Sequence, residues 1–516
     1  MPYTTAPDHP ELMVIGDSLA QGVRSLTSRA SFFAGSVGAR LADSQGWTFR
    51  SADHPRPVLL DLAEEIRRLN LTSILFLRQE LEEFTDRIND NISFWMNRLL
   101  VSGPVDVPPF DNVAVAQAYV SDLFVPASQW RAKLRTFATF RLTAADLLAK
   151  RVSLEQVAGL YKAINFVYTL NPTNRPEWDD LSMVGWVQAR RPRRLLISIG
   201  HNEAIYKIGF QGVTVPIRYQ DLEDSPLAAS DPVPTVPAPR LTTLARTLAG
   251  LNDLNWVLWD LLPKISAVAN LEPVGVPTEL TSPVGGANYY SYYSPVFSTN
   301  NRQLSGHYLK KADEEILSVN RQVQAVVSAE FLAAGRSGAI QFFDDFELFN
   351  RIDFKNQANR SSPEGQRHRI TIPPVRHVHY IDNCFLQAWM DGDDNSPHRG
   401  APVAPYRLTA GGVQSLDGMH LTASGYAYKA TEIVAQFGAT AGLRSDLMPV
   451  VFARATQSDD LVGDFPMEVN TVRTVILNPL RAFQPLLVDQ PDTPDAPVPE
   501  HHAKAQCWAD LCQVGA

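Results

Sequence analysis

Two apolar runs that stop on glycine constrain this chain more than any other feature. Leu12-Met13-Val14-Ile15 ends at Gly16, and the run from Leu195 to Ile199 ends at Gly200. Each is a short, nearly continuous hydrophobic stretch bounded by turn residues, the pattern of a strand buried on both faces. Helical periodicity fills the intervals. In "LRQELEEFTDRINDNISFWMNRLL" apolar residues recur every three or four positions, and residues 58–101 and 143–168 read as mostly helical. A helix is expected over roughly 240–268, and Pro-rich loops over 211–238 and 271–285. "KKADEEILSVNRQVQAVVSAEFLAAG" reads as an amphipathic helix ending on Gly335, followed by a strand at 339–344. "VRHVHYID", 375–382, alternates like a strand, and 421–438 reads as a helix stopping at Gly438. Strands separated by helices imply an α/β protein with a mainly parallel sheet. Ligands of such sheets sit at the carboxyl ends of the strands.

The bulk properties narrow the function. With 516 residues, 45% hydrophobic and 20% charged, the chain can bury a large core. A net charge of −9 argues against a nucleic-acid partner, whose phosphates require clustered Lys and Arg. The three cysteines, Cys384, Cys507 and Cys512, form neither a disulfide framework nor a zinc-type pair. The N-terminus lacks a basic segment followed by an apolar one, so no signal peptide is recognised, and no apolar run is long enough to span a bilayer. The expectation is a cytoplasmic protein, with secretion by another route left open.

Chemistry concentrates in three islands: Gly16-Asp17-Ser18-Leu19, Gly200-His201-Asn202-Glu203 and Asp417-Gly418-Met419-His420. Serine attack on a carbonyl needs a base, an acid that orients the base, and donors for the developing oxyanion. Ser18 suits the nucleophile, His420 the base and Asp417 its orienting acid, because a spacing of three lets the carboxylate and the ring meet within one turn. The Asn202 amide and the Ser18 N–H suit the oxyanion hole. Plainer readings stand beside these. Ser18 after Asp17 can simply cap a helix, Asp417-Gly418 is a common turn pair, and Asn202 suits a turn equally well. The joint occurrence of all four, in order and at strand ends, favours the chemical reading.

These blocks resemble the GDSL lipase/esterase group of the SGNH hydrolases: "GDSLAQG" for its first block, "GHNE" for its third and "DGMHLTASGY" for its last, in order over about 1–440. The late helix "ADEEILSVNRQVQAVV" and the strand "AIQFFD" are also similar to that family's. The resemblance implies a flavodoxin-like three-layer α/β/α sandwich with a parallel sheet of about five strands. It implies a serine carboxylic-ester hydrolase acting on a small-molecule ester or lipid through Ser18, His420 and Asp417, with no metal or organic cofactor. An acyltransferase using the same triad, and a catalytically inactive binding protein of the same fold, are the alternatives. Two positions depart from the family pattern. In "FDNVAVAQAYVSDL", 110–123, a β-like run in the place of the second block, Gln117 stands where the oxyanion-hole glycine is expected, and the third block ends in Glu203 rather than Asp. The distance from Ser18 to His420 implies insertions at about 50–108, 125–190, 204–300 and 345–410, forming a cap over the strand ends. Residues 441–516 form a C-terminal extension containing a Pro/Asp-rich stretch at 488–500.

Three further features carry less. His377 and His379 share a strand face but lack a third ligand. "DGDDNSPHRG", 391–400, lacks the sixth-position glycine and twelfth-position glutamate of a calcium loop. The tyrosines of "GGANYYSYYSPVF", 285–297, suit either a pocket lining or surface packing.

Overall fold

The computed structural model describes residues 8–68, 77–103, 105, 107–148, 154–210, 212–224, 231–234, 236–285, 288–295, 303–353, 369–375, 378–382, 413–415 and 417–459. His377, the 391–400 loop, the three cysteines and the 488–500 stretch lie outside the described residues.

The central sheet is parallel and four-stranded. Its strands are β1 (Met13–Gly16), β2 (Arg194–Ser198), β3 (Trp256–Asp260) and β7 (Ile340–Phe343), side by side in that order. Beyond β1 an extended segment continues the sheet. Val14 N–H donates to the Asp111 carbonyl, Val113 N–H to Val14 and Val115 N–H to Gly16, in a parallel bridge. Two smaller antiparallel sheets lie outside this layer: β4 (Leu271–Thr281), β5 (Asn288–Pro295) and β6 (Leu304–Ser305) form one, and β8 (Arg369–Val375) with β9 (Val378–Asp382) the other.

The helices that matter for the site are α1 (Ser18–Gln21), α2 (Val37–Gln45), α3 (Leu77–Met96), α4 (Leu154–Leu170), α5 (Met183–Arg190), α6 (His201–Ala204), α7 (Arg240–Ala249), α8 (Gly306–Ala333), α9 (Asp345–Ile352) and α10 (Ala423–Ala441). Strand residues alternate between the two faces of the sheet, and both faces are buried. Met13, Ile15, Leu195, Ile197, Val257 and Trp259 share one core with α3, α4, α5, α7 and α8. Val14, Leu196 and Leu258 share the other with α2 and α10. Helices on both faces explain why the strands read as unbroken apolar runs.

Lys429 of α10 is 3% exposed and bridges two buried carboxylates, Asp260 at the end of β3 (2.7 Å) and Asp345 at the start of α9 (2.5 Å). No helix among the described residues is long and apolar enough to cross a membrane.

Five sequence expectations are corrected. The helix expected over 240–268 is α7 followed by β3. The helical spacing of Leu241, Leu244 and Leu248 ends at Gly250, and Trp256-Val257-Leu258-Trp259 is the continuous run of a buried parallel strand. The loop expected at 271–285 is largely β4, despite Pro273 and Pro277. It is an edge strand whose register shifts on either side of Pro277, and edges and bulges tolerate proline. The tyrosine-rich stretch is β5. Tyr289, Tyr290 and Tyr293 are buried, and Tyr289 donates to Asp313 of α8. The 421–438 helix runs through Gly438 and closes on Gly442, whose φ is +64°. The 211–238 stretch also holds a short helix, Tyr219–Asp224.

Candidate functional site

β1 passes so close to β2 that a Cβ on Gly16 would lie 1.9 Å from the Ser198 carbonyl oxygen, and Gly16 has φ +143°. Only glycine fits both conditions. The chain then turns. Asp17 N–H donates to Ser198 O at 2.9 Å, and the Asp17 carboxylate caps α1 by accepting from Leu19 N–H at 3.2 Å. Ser18 is thus the first residue of a helix at the carboxyl end of the sheet. The helix-cap reading and the exposed-serine reading describe the same turn: Asp17 is the cap, and Ser18 is what it presents.

Asp417 and His420 meet within one bend. His420 Nδ1 lies 2.7 Å from Asp417 Oδ2. The carboxylate is buried and also accepts from Leu26, Met419 and His420 N–H groups at 2.7–2.9 Å. Burial by itself would raise its pKa, but the His420 ring and these donors outweigh burial and hold it down at about 2. The bend is tight: Gly418 has φ +66°, and a Cβ there would fall 2.6 Å from Asn270 N. Opposite it, Ser25 and Leu26 both take positive φ (49° and 57°), a conformation that L-residues keep only when their surroundings enforce it. Here the Ser415 hydroxyl binds Ser25 N–H, and Asp417 binds Leu26 N–H.

The second block forms a turn in which Ala118 N–H donates to the Val115 carbonyl. Gln117 has φ +64°, the left-handed conformation that a glycine adopts without strain. The backbone therefore has the geometry expected of glycine, with glutamine occupying it at a cost of about 1 kcal/mol. Three side chains fix the turn. Gln21 Oε1 accepts from Ala116 N–H (2.8 Å), Asn202 Nδ2 donates to Ala118 O (2.8 Å) and Glu203 accepts from Val120 N–H (2.6 Å). The Ser18 and Gln117 N–H groups have no hydrogen-bond partner among the described residues. Gln117→Gly is expected to stabilise the fold by about 1 kcal/mol in urea titrations. A backbone donor would survive that change, so any activity should stay within a factor of about three.

Ser18, Gln117, Asn202 and His420 all line one cavity of about 230 Å³. Asp417 lies behind His420. The structure thus gathers every candidate residue at one place. No hydrogen bond joins Ser18 to His420 among the described residues.

Sequence reasoning missed a second pair at this cavity. His201 Nδ1 lies 2.7 Å from Asp17 Oδ2, and His201 N–H also points at that oxygen (3.3 Å). Burial opposes charge on His201, yet the Asp17 carboxylate outweighs burial and holds its pKa above the ordinary value. Its Nε2 is buried and has no partner among the described residues. The signal was present in the adjacency of Asp17 to Ser18 and of His201 to Asn202. Gln21, three residues after Ser18, was missed as well. No group of three or more His, Cys, Asp or Glu side chains positioned to hold a metal occurs among the described residues.

No known protein-family profile matches this chain, and neither the curated proteins nor the solved structures contain a match to it.

Proposed function

We propose that the chain is a serine carboxylic-ester hydrolase of the SGNH type, working through an acyl-enzyme. The observation that carries this reading is the convergence, at one cavity, of a serine on a helix N-terminus, an Asp-fixed imidazole from far along the chain, and two backbone N–H groups without a partner among the described residues.

Ser18 Oγ attacks the ester carbonyl carbon while its proton passes to His420 Nε2. Asp417 keeps His420 Nδ1 protonated and stabilises the imidazolium. The carbonyl oxygen becomes an oxyanion held by the Ser18 and Gln117 N–H groups and the second Nδ2–H of Asn202. His420 then protonates the departing alcohol, and water, deprotonated by the same ring, releases the acid. The left-handed Gln117 favours an active site over an inactive relative, because it keeps the donor geometry at a cost in strain. The fold is consistent with this reading. With the 111–115 segment counted second in chain order, the sheet runs 2-1-3-4-5, the flavodoxin-like doubly wound order.

A fluorophosphonate probe should label the protein once, at Ser18, and Ser18→Ala should abolish labelling. Mass spectrometry showing adduct elsewhere, or none, would overturn the assignment.

A further inference from the structure

Outside the catalytic cavity, the charges at the start of α2 run against the usual rule. A helix N-terminus carries partial positive charge and attracts anions. α2 has no acidic residue in its first turn. Its Ser36 cap accepts from Ala39 N–H, while the Val37 and Gly38 N–H groups have no hydrogen-bond partner among the described residues. The helix sends a cation there instead. Long side chains on a helix lean towards its N-terminus, and Arg40 Nη2 lies 3.3 Å from the point where a Cβ on Gly35 would stand, just ahead of the cap. Arg24 Nη2 comes within 2.1 Å of the same point. Two guanidinium groups therefore crowd one spot at the positive end of a helix. Both are withdrawn from solvent, Arg24 being 3% and Arg40 9% exposed.

Arg24 is held from one side: it donates to the Phe32 carbonyl at 3.4 Å and lies over the Phe32 ring. The Arg40 guanidinium makes no hydrogen bond or ion pair among the described residues, and its Nε is buried. The carboxylates that act on it electrostatically are engaged elsewhere. Asp43 binds Arg454 at 3.2 Å, and Asp459 binds the Ser424 N–H and hydroxyl at 3.0 and 2.9 Å. Burial first, and Arg24 second, bring the Arg40 pKa down to about 10, so it stays charged at neutral pH. A buried cation beside another cation and a positive helix end is costly until an anion meets it.

We propose that Arg40, Arg24 and the first turn of α2 form a binding site for a phosphate group, apart from the catalytic cavity, of whose lining neither arginine is part. A tetrahedral oxyanion has acceptor oxygens enough for guanidinium groups on two sides and for helix N–H groups. The site is placed to act on the chain around Ser18. Gly22 and Val23 join Arg24 to α1, and Ser25 and Leu26, which follow it, bind Ser415 and Asp417. An anion that fixes Arg24 steadies both.

The test compares thermal melts of the full chain in sodium phosphate and in sodium chloride of equal ionic strength, with calorimetric titration of inorganic phosphate. Phosphate should raise the melting temperature saturably, and chloride should not. Arg40→Met should melt in chloride at or above the wild-type temperature, because an unpaired buried cation is gone, and should bind phosphate at least about tenfold more weakly. Gly35→Ala keeps both arginines but places a methyl group where Arg24 Nη2 stands, so it should weaken phosphate binding as well. It decides the matter should Arg40→Met not fold. Glycerol 3-phosphate binding more tightly than inorganic phosphate would assign the site to a phosphorylated small molecule, and weaker binding would assign it to free phosphate. Equal melting in the two salts overturns the proposal, and so does phosphate binding left unchanged by Arg40→Met or, where that variant does not fold, by Gly35→Ala. Neither result depends on whether esters are hydrolysed.

Discussion

His420→Ala should reduce kcat/KM for a good ester substrate by about 10⁴-fold or more, and so should Ser18→Ala. Combining them should cost little beyond either alone, because a nucleophile without its base and a base without its nucleophile are equally idle. The prediction discriminates because the cavity holds two Asp-paired histidines. Both have Nδ1 fixed 2.7 Å from a carboxylate. They differ in what their carboxylates hold: Asp17, the partner of His201, also caps the helix that begins with Ser18, whereas Asp417 binds Leu26, Met419 and His420 N–H groups. His201 and Asp17 therefore fit a positioning role, pinning the turn that presents Ser18. His201→Ala should cost about 10–100-fold, mostly in kcat, through misplacement of Ser18. If His201→Ala proved the more damaging change and His420→Ala kept most of the activity, the roles of the two pairs would have to be exchanged.

The largest expected effect on stability is that of Lys429→Met. The Lys429 ammonium lies between Asp260 and Asp345, and all three groups are buried. Burial raises the Asp345 carboxyl to about 7 even with Lys429 beside it. Removing the cation leaves two carboxylates facing each other in a dry interior, at a cost of about 3–5 kcal/mol. The sign of the pH dependence follows from that raised value. A carboxyl whose folded pKa exceeds its unfolded value takes up a proton on folding, so its stability is present at low pH and lost as pH rises through the folded pKa. Lys429→Met should therefore be most destabilised near pH 8 and recover in part near pH 5. Urea titrations at both values measure this, and equal losses at the two would rule the account out.

Much of the candidate site was legible because its residues sit in tight local settings. Gly16 and Gly200 marked strand ends, and the Asp417–His420 spacing foretold a contact inside one bend. What escaped was set by tertiary partners. β3 was hidden because Trp256 to Trp259 follows a genuine helix after a six-residue gap, and a continuous apolar run has no period to distinguish strand from helix. β4 was hidden because proline argues against strands unless the strand's place at an edge is known. The Asp17–His201 pair escaped because it joins residues 184 positions apart in the chain. Gln117 looked like a defect because its identity was visible and its φ was not.

The tie between residues 25–26 and 415–417 also has a temporal side. β1 is covered on one side by the 111–115 segment, and its neighbour on the other side, β2, is made nearly two hundred residues after it. His420 emerges later still, and the Ser25–Ser415 contact closes a loop of 390 residues. Such long-range closure comes late in folding. On the ester-hydrolase reading, a growing chain carries Ser18 without its proposed base for the four hundred residues that separate them.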